Sequence, residues 1–424
     1  MEPLQGERSR LKTIVFSVIM VLMVVLSIEL LSQLTFYYIF KKRYCVSNLI
    51  KSVTQEYQVT RRHATFLQNE AIHPYLGYVV DFGDEKKNFN TKGFHTRNQP
   101  MVKKEEGKLN IVILGGSVAY GLAPLIESAW KNTFNVTPCV VNLALPGYKE
   151  PQQLMVLSYF LSLGAAYDIV INIDGFNEIF LSSVENYAAG INFSFPRSWK
   201  LRVTANPTHN ELALIGKIKY LREMKERRLK EFSDSLFNLS AVYGLIKIFK
   251  LKDLNVMIYN NAMALLSLQR NLTKRFDASG PVEKYDDIKE VYQASTDLWC
   301  RCSLMMNTLA KDNGFEYYHF LQPNQYLHGS KKLTEEEKRI AYAEDSLYVE
   351  AVATGYPMLI EKGNILQKKN VKFFNATQLF SNVAETIYSD NCCHYNKKGN
   401  MMLAEYIIQQ IAKTTKINHL KAPR

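Results

Sequence analysis

Cysteine is scarce in this chain, and its arrangement excludes more than it suggests. Six cysteines stand among 424 residues, and none forms a Cys-x-x-Cys pair. The paired clamps of a zinc ribbon or a thioredoxin-like redox site are therefore missing. Cys300 and Cys302 are two apart, Cys392 and Cys393 are adjacent, and Cys45 and Cys139 stand alone. If the main domain lies outside the cytoplasm, some of them are open to disulfide formation. The adjacent pair, beside His394, suggests a cysteine nucleophile or a metal site, but two buried thiols or a strained vicinal disulfide is the preferred reading. Nucleic-acid signatures are missing as well. The formal charge is +12 and the pI about 9.1, but the basic residues are spread along the chain. No helix-turn-helix, zinc-finger or RNP pattern accompanies them, which argues against a nucleic-acid partner. Anionic membrane surfaces or acidic glycans remain as the polyanions such a charge attracts.

Near the N-terminus it is charge itself that is lacking. From Thr13 to Phe40 the one formal charge is Glu29. About 20 apolar residues span a bilayer, so the run is long enough. Arg8, Arg10 and Lys12 precede it and Lys41, Lys42 and Arg43 follow it, so the balance of positive charge does not orient it. A cleavable signal peptide would have a shorter apolar core ending at small residues. Here the run continues into Phe36-Tyr37-Tyr38-Ile39-Phe40, an aromatic belt. Residues 1–43 read as an uncleaved membrane anchor. Glu29 is then a functional intramembrane acid, or it lies near the interface or in a helix contact.

Residues 44–107 form a polar approach segment, or collar. It contains His73-Pro74-Tyr75-Leu76-Gly77-Tyr78 and Asn90-Thr91-Lys92-Gly93-Phe94, and reads as turn-rich and packed onto a sheet by its aromatics. From residue 108 short apolar strands alternate with longer segments. Ile111–Leu114, Val140–Ala144, Asp168–Ile173 and Phe315–Phe320 are the strands, and Leu154–Leu163 and Leu298–Ala310 have helical spacing. This alternation predicts an α/β fold, a parallel sheet with helices on both faces. Residues of about 180–290 interrupt it with a helical insertion, dense in Lys, Arg and Glu from Lys217 to Lys230 and alternating basic and apolar residues from Ala241 to Leu251. A solvated lid or strut fits it, and so does a basic amphipathic surface for membrane or glycan.

Chemistry concentrates in four short blocks. The first strand ends in Gly115-Gly116-Ser117, with Gly121 beyond, which places a hydroxyl at a strand's C-terminal end, where open α/β sheets bind ligands. The second strand leads into Leu145-Pro146-Gly147 and the third into Gly175-Phe176-Asn177-Glu178. Near the C-terminus stands Asp390-Asn391-Cys392-Cys393-His394, followed by an apolar-periodic helix. A serine nucleophile needs a base, and His394 can supply it. The base needs an anion to hold its tautomer and stabilise the imidazolium, and Asp390 is the candidate. The tetrahedral intermediate needs donors, and the backbone N–H groups of Ser117 and Gly147 with the side-chain amide of Asn177 are placed to provide them. Gln322-Pro323-Asn324-Gln325-Tyr326, after the fourth strand, either lines the pocket or is an ordinary capped turn.

In this order the four blocks resemble the SGNH, or GDSL-like, hydrolases, in a membrane-anchored, bacterial-type form. The resemblance covers residues 108–412 apart from the insertion and leaves 413–424 as a tail. It implies a three-layer α/β/α, flavodoxin-like fold with Ser117, Asp390 and His394 catalytic and Ser117, Gly147 and Asn177 as the oxyanion hole. Two positions depart from the family pattern. Glu178 stands where Gly-x-Asn-Asp has its Asp, and the residue three before His394 is Asn391, with Asp390 four before. The expected function is a serine esterase or acyl hydrolase acting through an acyl-enzyme on an ester of the cell envelope. O-acetyl transfer to or from an envelope polysaccharide and a catalytically silent scaffold are the alternatives. No cofactor and no metal is implied. The expected partners are an ester-bearing small molecule or glycan and, through the N-terminal helix, the membrane, with the main domain extracytoplasmic (periplasmic).

Overall fold

A computed structural model describes residues 4–55, 70–80, 92–96, 98–203, 209–270, 276–281 and 283–417. Asn90, Thr91 and the tail beyond Ile417 lie outside the described residues. In chain order, helix α1 is Leu4–Phe40 and α2 is Val46–Gln55. Strands β1 (Glu70–His73) and β2 (Gly77–Val80) follow, then β3 (Lys108–Gly115), α3 (Ser117–Thr133), β4 (Thr137–Asn142) and α4 (Gln152–Ser162). Next come β5 (Ile169–Asp174), α5 (Phe176–Phe180), α6 (His209–Asp234), α7 (Ala241–Arg270), α8 (Ile288–Asn313) and β6 (Glu316–Leu321). Helix α9 (Leu347–Lys368), β7 (Lys372–Asn375) and α10 (Lys397–Thr414) close the series, with short helical turns between.

The chain divides into two compact units, Met1–Phe66 with Ala205–Thr273 and Leu67–Thr204 with Lys274–Arg424. The second unit is an α/β domain on a five-stranded sheet in the order β4-β3-β5-β6-β7, parallel throughout. Ile111 to Leu114 are completely buried. Parallel strands covered on both faces show continuous apolar runs rather than alternation, which is why this strand is plain in the sequence. From β3 the chain steps outward to β4, then crosses back to β5 and proceeds to β6 and β7. The order reverses between β3 and β5, and such a switch point opens a crevice at the carboxyl ends of the strands. Helix α3 packs on α10 and on β3, while α8 packs on α4, α9 and β6. The antiparallel β1–β2 hairpin turns at His73–Gly77, and Leu76, Tyr78 and Phe94 enter the main core, so the aromatics do tie this part of the collar down.

The first unit has its own small core of Phe36, Leu49, Phe232, Ile248 and Leu251. Thr13–Phe40 of α1, whose most apolar 18-residue window has a mean hydropathy of 2.8, is long and apolar enough to cross a membrane. Glu29 caps α7: its carboxylate accepts the Ser240 hydroxyl at 2.7 Å and the Ala241 N–H at 2.6 Å. It is a helix contact, one of the roles its sequence position allowed.

These units cut across the segments expected from sequence. The insertion of about 180–290 narrows to Ala205–Thr273, and it shares a unit with the anchor and the start of the collar. Its two flanks fall in the sheet domain's unit and are bonded to each other. Asn192 donates its N–H to Ser279 O at 2.7 Å and its amide to Pro281 O at 2.6 Å, and Trp199 Nε1 reaches Asp277 O at 2.8 Å.

Candidate active site

Two glycines deliver Ser117. At Gly115, φ is +133°, and an added Cβ would lie 2.1 Å from the Ile173 carbonyl oxygen. At Gly116 it would lie 2.3 Å from Asn177 Nδ2. The chain thus turns hard against β5 and against the Asn177 amide, which only residues without a side chain permit. Ser117 then opens α3, half-buried. Gly121, the fourth member of that block, meets no atom within 4 Å of an added Cβ, so nothing there requires glycine.

The loop before α10 delivers His394. Tyr388 and Tyr395 form an antiparallel bridge, and between them one carboxylate organises the turn. Asp390 Oδ1 accepts the N–H groups of Cys392, Cys393 and His394 at 2.9, 3.3 and 3.4 Å. Its Oδ2 lies 2.6 Å from His394 Nδ1, and His394 Nε2 lies 2.7 Å from Ser117 Oγ. Serine, histidine and aspartate stand in one line, and Asp390 rather than Asn391 holds the imidazole. The four-residue spacing works because the aspartate binds the backbone of its own turn with one oxygen and the ring with the other.

Gln322–Tyr326 has a job the sequence did not show. Asn324 Nδ2 donates to Cys392 O at 3.3 Å, Gln325 Nε2 to Asp390 O at 2.9 Å, and the Tyr326 hydroxyl to Asn391 O at 2.8 Å. The Tyr395 hydroxyl returns to Pro323 O at 2.6 Å. This buried segment holds the His394 loop in place. Cys392 and Cys393 are buried with sulfurs 3.6 Å apart, a pair of thiols and not a disulfide, whose sulfurs would be about 2.05 Å apart. With His394 they offer three metal-ligating atoms within 4.8 Å. Asp390 and Ser117 already occupy both imidazole nitrogens, so a metal would have to displace one of them.

The donor side is assembled from the second and third blocks. Asn177 Nδ2 donates to Tyr148 O at 2.8 Å while lying over Gly116. A side-chain amide carries two hydrogens, so one is left for a reacting oxygen. Gly147, at φ +83°, precedes Tyr148, and the Arg197 side chain covers it so closely that an added Cβ would be 2.6 Å from Nε. Leu145 N bonds Gly115 O at 3.2 Å, joining the second block to the first. Ser117, Gly147 and Asn177 thus come from neighbouring strand ends. On the first turn of α3 the Tyr120 hydroxyl pairs with Nδ1 of the exposed His95 at 2.7 Å, an addition the sequence pattern did not signal.

Beneath Asn177 is a buried polar set. Glu178 accepts the Gly175 N–H at 2.8 Å and the Glu150 N–H at 3.2 Å, and so caps the β5–α5 turn. Burial, reinforced by the nearby Asp174, holds its carboxyl above the ordinary range, and burial raises Glu150 well above it. Burial also lowers Lys149 to about 8, and its ammonium donates to Phe193 O at 2.6 Å. Asp174 Oδ1 accepts Trp299 Nε1 at 2.8 Å and lies 2.9 Å from His319 Nε2. His319 Nδ1 in turn lies 2.8 Å from Ser303 Oγ. This is a second serine, histidine and aspartate in line, wholly inside the core.

No model of a known protein family matches this chain, and no curated protein matches it in sequence.

Proposed function

We propose that the sheet domain is a serine acyl hydrolase of SGNH type, with α3 and α10 on one face of the sheet and α4, α8 and α9 on the other, anchored to the cell membrane by α1. The line Ser117 Oγ, His394 Nε2, His394 Nδ1, Asp390 Oδ2, with separations of 2.7 and 2.6 Å, carries this reading. It lies at the carboxyl ends of β3 and β5, the crevice where doubly wound sheets place their ligands.

In this reading Ser117 Oγ attacks an ester carbonyl while His394 Nε2 takes its proton. Asp390 keeps Nδ1 protonated and stabilises the imidazolium. Negative charge collects on the carbonyl oxygen. The Ser117 and Gly147 N–H groups and the second Asn177 amide hydrogen receive it, and each such donor contributes about 2.7–4 kcal/mol to the transition state. Collapse expels the alcohol, which takes the proton from His394 and leaves Ser117 acylated. Water, activated by His394, then attacks the acyl carbonyl and releases the acid.

A fluorophosphonate probe tests the assignment. It is expected to modify Ser117, and Ser117→Ala is expected to lose both labelling and ester cleavage while its circular dichroism stays unchanged. Full ester cleavage by a folded Ser117→Ala protein would overturn the mechanism. Analysing products with and without a sugar acceptor separates transfer to water from transfer to a hydroxyl.

A further inference from the structure

The α6–α7 hairpin ends in an apolar tip. Leu236, Phe237 and Leu239 are 93, 70 and 80% exposed, a cluster that water alone does not favour. Its place along α1 is fixed within the first unit. Glu29 caps the start of α7 through Ser240 and Ala241, and Tyr44 donates to Asn238 O at 2.6 Å. Seven residues further along each helix, Phe36 and Ile248 lie in the same buried cluster. Helix α7 therefore runs beside α1 in the same direction, and the tip that precedes it lies at the level of Glu29. That level falls inside the apolar stretch Thr13–Phe40. A bilayer's hydrocarbon core takes up about 20 helical residues, so a span entered at Thr13 is left at about residue 32, beyond Glu29.

The charges agree with this placement. In the direction away from the apolar run, Lys41, Lys42 and Arg43 follow the end of α1, Lys247 and Lys250 lie on α7, and the last turn of α6 carries Lys230 with Glu231 and Asp234. An apolar tip followed by segments in which cations outnumber anions is the profile of an element seated at the boundary between acyl chains and phosphate headgroups.

We propose that Leu236, Phe237 and Leu239 form a second membrane-inserting element, dipping into the leaflet through which α1 emerges, with the surrounding lysines and arginine at headgroup level. The partner is the lipid surface itself, anionic by preference. The inference rests on the reading of α1 as a membrane span. It makes the first unit a two-point attachment: one helix that crosses and one wedge that dips.

Full-length protein in nanodiscs of mixed zwitterionic and anionic lipid, with bromines on the acyl chains near the headgroup or near the bilayer centre, tests it. Three single variants are compared with the parent to subtract the native tryptophans: Phe237→Trp at the tip, Leu22→Trp within α1 and Tyr220→Trp on an exposed part of α6. The added emission of Phe237→Trp is expected to be blue-shifted and quenched most by the shallow bromines. That of Leu22→Trp should be quenched most by the deep ones, and that of Tyr220→Trp by neither. Quenching at residue 22 with a solvent-like, unquenched residue 237 would overturn the wedge and leave the anchor standing. No quenching at residue 22 would overturn the anchor reading beneath it. A blue-shifted but unquenched residue 237 would place protein rather than lipid on the tip, and would also overturn the proposal.

Discussion

At the scale of single residues, the site turns on which side chains are absent and which atoms of one carboxylate are used. Asp390→Asn is expected to lower turnover by about three to four orders of magnitude, because an amide does not stabilise the imidazolium. Asn391→Ala should stay near wild type, since the group that Asn391 contributes to Tyr326 is its backbone carbonyl. Steady-state kinetics on the two variants decide the point, and a larger loss in Asn391→Ala would reverse the assignment. Gly116→Ala places a methyl against the Asn177 amide, which would have to move. Turnover should fall by about a hundredfold to a thousandfold, the effect of losing one oxyanion donor, with the domain still folded. Gly121→Ala, in open space within α3, should instead raise the unfolding free energy by about 0.4–1 kcal/mol in a urea titration. The convergence of Ser117, His394 and Asp390 was legible because each sits in a short local pattern of glycines, strand end or turn. The role of Gln322–Tyr326 was not, since its partners lie 65 to 72 positions away and are mostly backbone carbonyls, which leave no trace in residue identity.

At the scale of elements, legibility followed burial. The central strands are continuous apolar runs and were found. Strand β7 is four residues long, too short to carry a period. Helix α9 contains Gly355, Pro357 and Gly363, all poor helix formers. Its glycines are there for contact: a Cβ would strike Ile179 at 2.4 Å from Gly355 and Phe373 at 2.2 Å from Gly363. The β5–α5 turn carries a pH signature. Native Glu178 holds its proton above the ordinary carboxyl value of 4.5, while the unfolded chain releases it there. The native state then binds more protons, so this residue's contribution to stability declines as pH rises from that value. Lys149 works in the opposite sense, adding stability with rising pH only above about 8. The stability advantage of wild type over Glu178→Gln should therefore shrink between about pH 5 and about pH 8, by at most about 1.4 kcal/mol per pH unit. Urea titrations across that range measure it, and a constant gap would show that Glu178 is ionised in the native turn.

At the scale of the whole molecule, the candidate machinery belongs to one unit. Ser117, Gly147, Asn177, Asp390 and His394 all fall within Leu67–Thr204 and Lys274–Arg424. The flanks of the excursion between these segments are bonded to each other, so the excursion can be removed without separating them. A chain of residues 67–204 joined to 274–424 by a short Gly-Ser linker is expected to fold and to take the fluorophosphonate probe at Ser117. A folded but unlabelled product would show that the first unit is needed to form the site. The sequence reading put the insertion at about 180–290, and residues 181–204 and 276–290, on either side of Ala205–Thr273, fall in the unit that holds the sheet. What joins them is long-range hydrogen bonding, which pattern alone does not reveal.

The line Ser303, His319, Asp174 repeats the residue types and spacings of the candidate site in a place no solvent or substrate reaches. A single peptide map of the probe-treated protein thus holds both an experiment and its blank. Adduct on the Ser117 peptide with none on the Ser303 peptide would measure what access adds to an aligned serine, histidine and aspartate. A search for such alignments by interatomic distance alone would return this chain twice, and only one of the two serines lies where a reagent can meet it.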